Sequence, residues 1–142
     1  MIDLNILEEF KDLVDRSLLQ KKIKSINSLL KLENQDISFV ICGDLSIRSY
    51  NLEYRGIDRT TDVLSFNMNT INPENNHEYL GDVIVSYPQA EIQSEEHKHS
   101  VEDEILLLLI HGILHIKGFD HDSKEKEMKM FAIQDEVLKK LK

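Results

Sequence analysis

Apolar residues recur along this chain at two different spacings, and the changes between them predict where helices and strands lie. Ile6, Leu7, Phe10, Leu13, Val14, Leu18, Ile23, Ile26, Leu29 and Leu30 fall at helical spacing, so residues 5–32 read as one or two amphipathic helices. Ile37 to Cys42 is a short apolar run rich in β-branched side chains and ended by Gly43-Asp44, which predicts a strand and then a capped helix to about Tyr54. Val63-Leu64-Ser65-Phe66 predicts a second strand. Residues 67–77 are polar and rich in asparagine and read as an exposed loop. Leu80 to Ser86 predicts a buried strand stopped before Pro88.

Ser100-Val101-Glu102-Asp103 resembles a capping box, and the helix it opens can run to Lys117. Ile105 to Ile110 is apolar on every side, which marks that helix as the centre of the fold. Residues 123–141 predict a last amphipathic helix, with Met128, Phe131, Val137, Leu138 and Leu141 inward and Met128 and Met130 as core filling. The chain contains no internal repeat.

A length of 142 residues fits one domain, residues 1–142, with a core of ordinary size. Cys42 is the only cysteine, so no intrachain disulfide can form, and its place at the end of an apolar run makes it a small core residue. The N-terminus lacks the basic and apolar segments of a signal peptide, and residues 105–116 are too few to span a bilayer. The expectation is a soluble cytoplasmic protein with no membrane partner. The net charge of -9 argues against coating nucleic acid through a broad basic surface. A metal ion and one or two arginines can still create a positive field inside a cleft.

That possibility matters because of the run His111-Gly112-Ile113-Leu114-His115-Ile116-Lys117-Gly118-Phe119-Asp120-His121. On a helix, His111 and His115 lie about 40° apart around the axis and about 6 Å along it, so both rings point the same way. Gly118 can take the left-handed conformation that ends a helix, which lets the chain return His121 to the same place. Three imidazoles and no nearby cysteine fit a catalytic zinc site with an open fourth position rather than a closed structural one. The order of residues is that of the metzincin peptidases, H-E-x-x-H-x-x-G-x-x-H, with one break: Gly112 stands where the peptidase has its glutamate base. A helix C-terminus also carries partial negative charge, which favours a cation there.

Three segments, Asn51 to Phe66 with its Thr61-Asp62-Val63-Leu64-Ser65-Phe66 core, Gly81 to Ser86, and His111 to His121, together resemble the YbeY family of bacterial endoribonucleases. The resemblance covers residues 37–122. It implies an α+β domain with a four-stranded mixed sheet packed with helices around the central apolar helix that carries the metal motif. It implies a zinc-dependent endonuclease for single-stranded RNA, acting in ribosomal RNA processing at the 3′ end of the small-subunit RNA and in ribosome quality control, with the small ribosomal subunit as partner. One Zn2+ per chain would be held by His111, His115 and His121, and the family's essential arginine falls on Arg55. Two positions depart from the family pattern: Thr60 replaces a proline, which concerns loop stiffness, and Phe119 replaces a tyrosine.

Arg55, at the end of a predicted helix, has the forked, permanently charged head that clamps a phosphate, and Arg59 is a weaker candidate for the same face. Asp120 could orient a ligating imidazole or simply solvate a turn. Asp62 and Asp82 could line the cleft or cap turns, and His77, His97 and His99 read as surface residues. Zinc lowers the pKa of bound water from 15.7 to about 7, so metal-bound water can hydrolyse a phosphodiester while Arg55 stabilises the growing charge. Attack by the ribose 2′-hydroxyl is the other route. Two rival functions share these features, a metallopeptidase and a non-catalytic zinc-containing ribosome assembly factor.

Overall fold

The computed structural model describes residues 1–119 and 122–141. Strand β1 (Ile2–Ile6) lies parallel to β2 (Gln35–Cys42), with α1 (Arg16–Leu29) between them in the chain. Helix α2 (Asp44–Arg55) follows, and then β3 (Val63–Ile71) and β4 (Glu78–Ser86) pair antiparallel. Because β4 also pairs parallel with β2, the mixed sheet has the order β1-β2-β4-β3, with β3 as an edge. Helices α3 (Tyr87–His97), α4 (Val101–Ile116) and α5 (Lys124–Leu141) complete the chain.

The period of two along β2 divides the interior. Ile37, Phe39 and Ile41 enter the larger core, shared with residues of α1, α4 and α5, while Cys42 joins Ile47, Leu64 and Ile84 in a smaller core beneath α2. Burial there pushes the Cys42 thiol up to about 12, so it stays a neutral packing group. Helix α4 is the hub, as its sequence predicts: Ile105, Leu106, Leu109, Ile110 and Ile113 are all fully buried. Ser100 caps it by accepting from the Asp103 N–H at 3.0 Å. Just past its other end, the Lys117 ammonium donates to the Leu30 carbonyl at 2.8 Å and so ties α4 to the end of α1.

Four expectations need correction. Residues 5 and 6 end the strand Ile2–Ile6 rather than open a helix, because Leu4 and Ile6 alternate inward and the backbone pairs with β2; α1 begins only at Arg16, where Asp15 accepts from the Leu18 N–H at 3.0 Å. Ile6 belongs both to the alternation Ile2-Leu4-Ile6 and to the helical spacing that begins with it. Strand β3 continues past Phe66 to Ile71, bent at a register shift where Asn69 has φ 48°, and the polar turn beyond it is pinned by the Asn72 and Asn75 amides donating to Asp36 on β2. Helix α3 has no counterpart in the predicted elements: its buried residues are Tyr87, Ala90 and Ser94, too small and polar to leave an apolar period. On α5 the inward stripe is Met130, Gln134 and Val137, whereas Met128 and Phe131 are exposed, because one inward position is polar.

Where α4 crosses the sheet, the two come very close. A Cβ at Gly112 would lie 2.7 Å from Val83 Cγ1 and 3.0 Å from Ser65 Oγ, and Ser65 Oγ donates to the Gly112 carbonyl at 3.2 Å. Glycine at 112 is therefore a packing requirement between α4 and the β3–β4 pair. Among the described residues no helix is long and apolar enough to cross a membrane.

Replacing Gly112 by alanine should lower stability, because overpacking costs about 1–3 kcal/mol and exceeds the ~0.5–1 kcal/mol that alanine gains in a helix. Urea unfolding of the two proteins should show a lower midpoint at an unchanged slope. An equal or higher midpoint would mean that the sheet yields easily at this contact.

Candidate functional site

His111 and His115 sit one turn apart on the last half of α4, with their rings edge to face at 4.6 Å and their Nε2 atoms 3.1 Å apart. The sequence placed these two rings together, and the structure does so. His111 Nδ1 meets Gln134 Oε1 of α5 at 3.0 Å. An amide oxygen can only accept, so with the amide placed this way Nδ1 of a neutral His111 carries the proton and its Nε2 lone pair is turned toward His115. Two nitrogens bound to one tetrahedral zinc at about 2.0–2.1 Å stand about 3.3 Å apart, which is close to the separation here. After α4 the chain turns at Gly118, φ 101°, whose N–H donates to the His115 carbonyl. The expected third ligand, His121, and its neighbour Asp120 lie outside the described residues.

Arg55 reaches the same place from another element. Helix α2 stops at Gly56, which adopts φ 69°, a conformation an L side chain rarely takes, and the Ile57 N–H returns to the Asn51 carbonyl at 3.2 Å. Arg55 is thus held at the last helical position, beside the β3 edge, where its Nη2 donates to the Ser65 carbonyl at 3.2 Å. The loop behind it is tied down by Asn51 Nδ2 on the Arg59 carbonyl at 2.9 Å and by an Arg48–Asp58 ion pair at 2.7 Å. Thr60 donates to the Asp44 carbonyl at 3.3 Å, so a hydrogen bond tethers the loop there.

Arg55, His111 and His115 line one cavity of about 490 Å3, together with Asp62, Ser65 and Asn67. Asp62 is held by the Val63 N–H on one oxygen at 2.8 Å and the Gln93 amide on the other at 3.2 Å, so it is both a strand cap and a wall of the cleft. Asp82 is not in this cavity; it accepts the hydroxyl of Tyr79, whose phenol is pushed up to about 12 by burial and by that carboxylate. Arg59 is exposed and does not line the cavity. The motif offered no sign of Gln134, which is one of many polar residues on α5 and is set apart only by its burial.

His97 is exposed, as expected of a surface residue, whereas His99 is partly buried, and both rings engage a buried carboxylate. Glu104 is buried in the first turn of α4, and its Oε1 meets His97 Nδ1 at 2.6 Å and His99 Nε2 at 2.7 Å. The three form a group that could hold a metal ion. These separations are those of charge-assisted hydrogen bonds and are shorter than the spacing of two ligands on one zinc. Glu104 Oε2 has no hydrogen-bond partner among the described residues. His77 is likewise partly buried, against Asp36 at 3.2 Å.

A family model described as Endoribonuclease YbeY matches residues 5–142. The chain is 41% identical over 137 residues to the Endoribonuclease YbeY of Persephonella marina, covering 93% of this chain and 90% of that protein. It is 39% identical to the protein of that name from Dehalococcoides mccartyi (strain ATCC BAA-2266 / KCTC 15142 / 195), covering 99% and 91%. A Thermotoga maritima protein with a solution structure superimposes with a TM-score of 0.68 at 25% identity, covering 99% of this chain and 89% of that one.

The hydrogen bond and charge of Glu104 raise the pKa of His97 above its ordinary value. A raised folded-state pKa stabilises the fold fully below the unfolded value of about 6.5, and the contribution is lost as pH rises through the folded value. NMR titration should place the His97 pKa above 6.5 in the wild type and return it toward 6.5 in Glu104→Gln. An unmoved His97 pKa in that variant would mean that Glu104 is not the cause.

Proposed function

The chain belongs to the endoribonuclease YbeY family, and from that premise we propose that it is a metal-dependent endoribonuclease whose cavity cuts single-stranded RNA. The observation that carries this reading is the convergence of two histidine Nε2 atoms, 3.1 Å apart, in the cavity that Arg55 also lines. The donor set fits the metal: two neutral imidazoles at ligand spacing, one held by Gln134, suit zinc and give no home to magnesium. His111 and His115 would hold one zinc per chain, with His121 as the third ligand. When bound, the ion would supply Lewis-acid polarisation of a phosphoryl oxygen and lower the pKa of water in its open position.

The remaining work falls to the chain's own side chains. Arg55 spends one donor on the Ser65 carbonyl, which fixes the plane of its guanidinium, and its other N–H groups can take two oxygens of one phosphate. That placement sets the scissile phosphodiester between Arg55 and the histidines and stabilises the charge that grows on its oxygens. Gln134 keeps the His111 proton on Nδ1, so that Nε2 remains a ligand. The nucleophile is either water or the ribose 2′-hydroxyl, and the clamp serves both routes.

The metallopeptidase reading loses its base for a structural reason. A side chain at position 112 would start 2.7 Å from Val83 Cγ1, aimed into the sheet, so the peptidase glutamate has no counterpart there. We also assign the chain, as one catalytic domain over residues 1–142, to cytoplasmic processing of the 3′ end of the small-subunit ribosomal RNA and to ribosome quality control, with the small subunit as partner; the family premise supports these roles. The reading of a non-catalytic assembly factor leaves unexplained why a phosphate clamp shares a cavity with a ligand pair.

Wild type should carry about one zinc per chain by elemental analysis, and His115→Ala should lose both the metal and RNA cleavage. Arg55→Ala should keep the metal but cut a single-stranded RNA about 10²- to 10³-fold more slowly, the cost typical of one missing oxyanion donor. Cleavage at the wild-type rate by Arg55→Ala would remove the clamp, and stoichiometric zinc in His115→Ala would remove the ligand assignment. A Gln134→Ala variant should bind zinc about 10- to 100-fold more weakly in a competition titration with a chelating dye. Unchanged affinity would leave Gln134 a packing residue.

A further inference from the structure

On the other side of the β3 edge from the histidines lies a second cavity, of about 370 Å3, to which Arg55, Ser65 and Asn67 also contribute. The rest of its wall is Tyr50 and Tyr54 of α2 and Phe66 of β3, with Met68, Ile84 and the Asp82 carboxylate that Tyr79 already engages. Tyr50 and Tyr54, one helical turn apart, stack at 6.4 Å and 20°, and Tyr54 meets Phe66 at 5.1 Å. The Arg55 guanidinium carbon stands 5.8 Å from the centre of the Phe66 ring. Although it touches both rings, Tyr54 is 62% exposed, and Met68, in the same wall, is 51% exposed. A monomeric fold has no evident reason to leave so much aromatic surface open next to a charged cleft.

We propose that this aromatic cavity is a base-binding subsite, in which one nucleobase flanking the scissile phosphate of single-stranded RNA stacks on Tyr54 and Phe66. The inference rests on the endoribonuclease reading of the histidine cavity. Three observations carry it. The two cavities share Arg55, Ser65 and Asn67 in their walls, so a phosphate on the guanidinium brings its neighbouring nucleotide within reach of the aromatic one. The rings are fixed in advance by their mutual contacts, and every base has a π face to offer them. The chain carries a net charge of -9, so phosphate neutralisation over a broad surface supplies little affinity, and stacking is the remaining sequence-tolerant source.

The same subsite accounts for single-strand preference without a separate device. A base in an A-form duplex is paired and stacked on its neighbours, and it must leave both before it can reach Tyr54. The Asn67 side chain, shared by both cavities, is placed to offer its amide to the edge of the seated base.

The test couples one change in the protein to one change in the substrate. The zinc-loaded enzyme, its Tyr54→Ala variant and its Tyr54→Phe variant are assayed on a single-stranded RNA and on versions with an abasic site at each position around the cut in turn. Tyr54→Ala should raise KM by about 5- to 150-fold, the range that corresponds to losing one base–aromatic stack, with a smaller change in kcat. Tyr54→Phe should behave as wild type. At one abasic position wild type should lose as much as Tyr54→Ala does, and the two losses should not multiply when combined. Losses that multiply at every position, or a Tyr54→Ala enzyme with an unchanged KM, would overturn the subsite while leaving the nuclease assignment intact. A wild-type enzyme that cuts no RNA would overturn the nuclease assignment itself.

Discussion

The contact between the Gly112 backbone and the β3–β4 pair is the constraint on which the rest of the site depends. A helix whose apolar residues face every direction could settle on a sheet in several rotations, each about as good at burying leucine. With no side chain at position 112 and with Ser65 donating to its carbonyl, only one rotation lets α4 sit this close. That rotation puts His111 and His115, the neighbours on the helix's other flank, at the open side of β3. The polar site is thus aimed by an apolar packing choice, and the Gln134 amide then trims the ring that the packing has placed.

Arg55 shows the complementary logic. Its position follows from where α2 ends, and α2 ends because Gly56 takes a backbone conformation that most residues avoid. The Arg55 side chain therefore reaches the cleft without a long-range partner. It needs an unpaired carbonyl on an edge strand, and β3 supplies one at Ser65 because, among the described residues, no further strand continues the sheet on that side. An edge strand usually risks unwanted pairing. Here one of its exposed backbone groups is occupied by Arg55.

The elements most legible in the sequence are those set by local chemistry. The Ser100 cap and the all-round apolar run of α4 predicted the helix to within a residue, and the i, i+4 histidines predicted a shared direction for two rings. The four-stranded mixed sheet, implied by the family resemblance, is present. What stayed hidden was decided by partners distant in the chain. Strand β1 is a strand because β2 lies beside it, and Glu104, an ordinary acidic residue of a first helical turn by sequence, is buried because His97 and His99 fold back onto it. Gln134 belongs to the same class: nothing local distinguishes it from other polar residues of α5, and only its burial against His111 gives it a role.

The strand order also has a kinetic consequence. Ile71 pairs with Glu78 across a short turn, while Gln35 pairs with the same Glu78 only after the whole of α2 and β3 has been closed into a loop. Loop-closure entropy therefore favours the β3–β4 hairpin first and the parallel half of the sheet later. Every described residue that lines the histidine cavity lies between Arg55 and Ile116, the stretch that contains this hairpin and α4. The hairpin that forms one wall of that cavity is therefore favoured to close before the N-terminal strand completes the sheet.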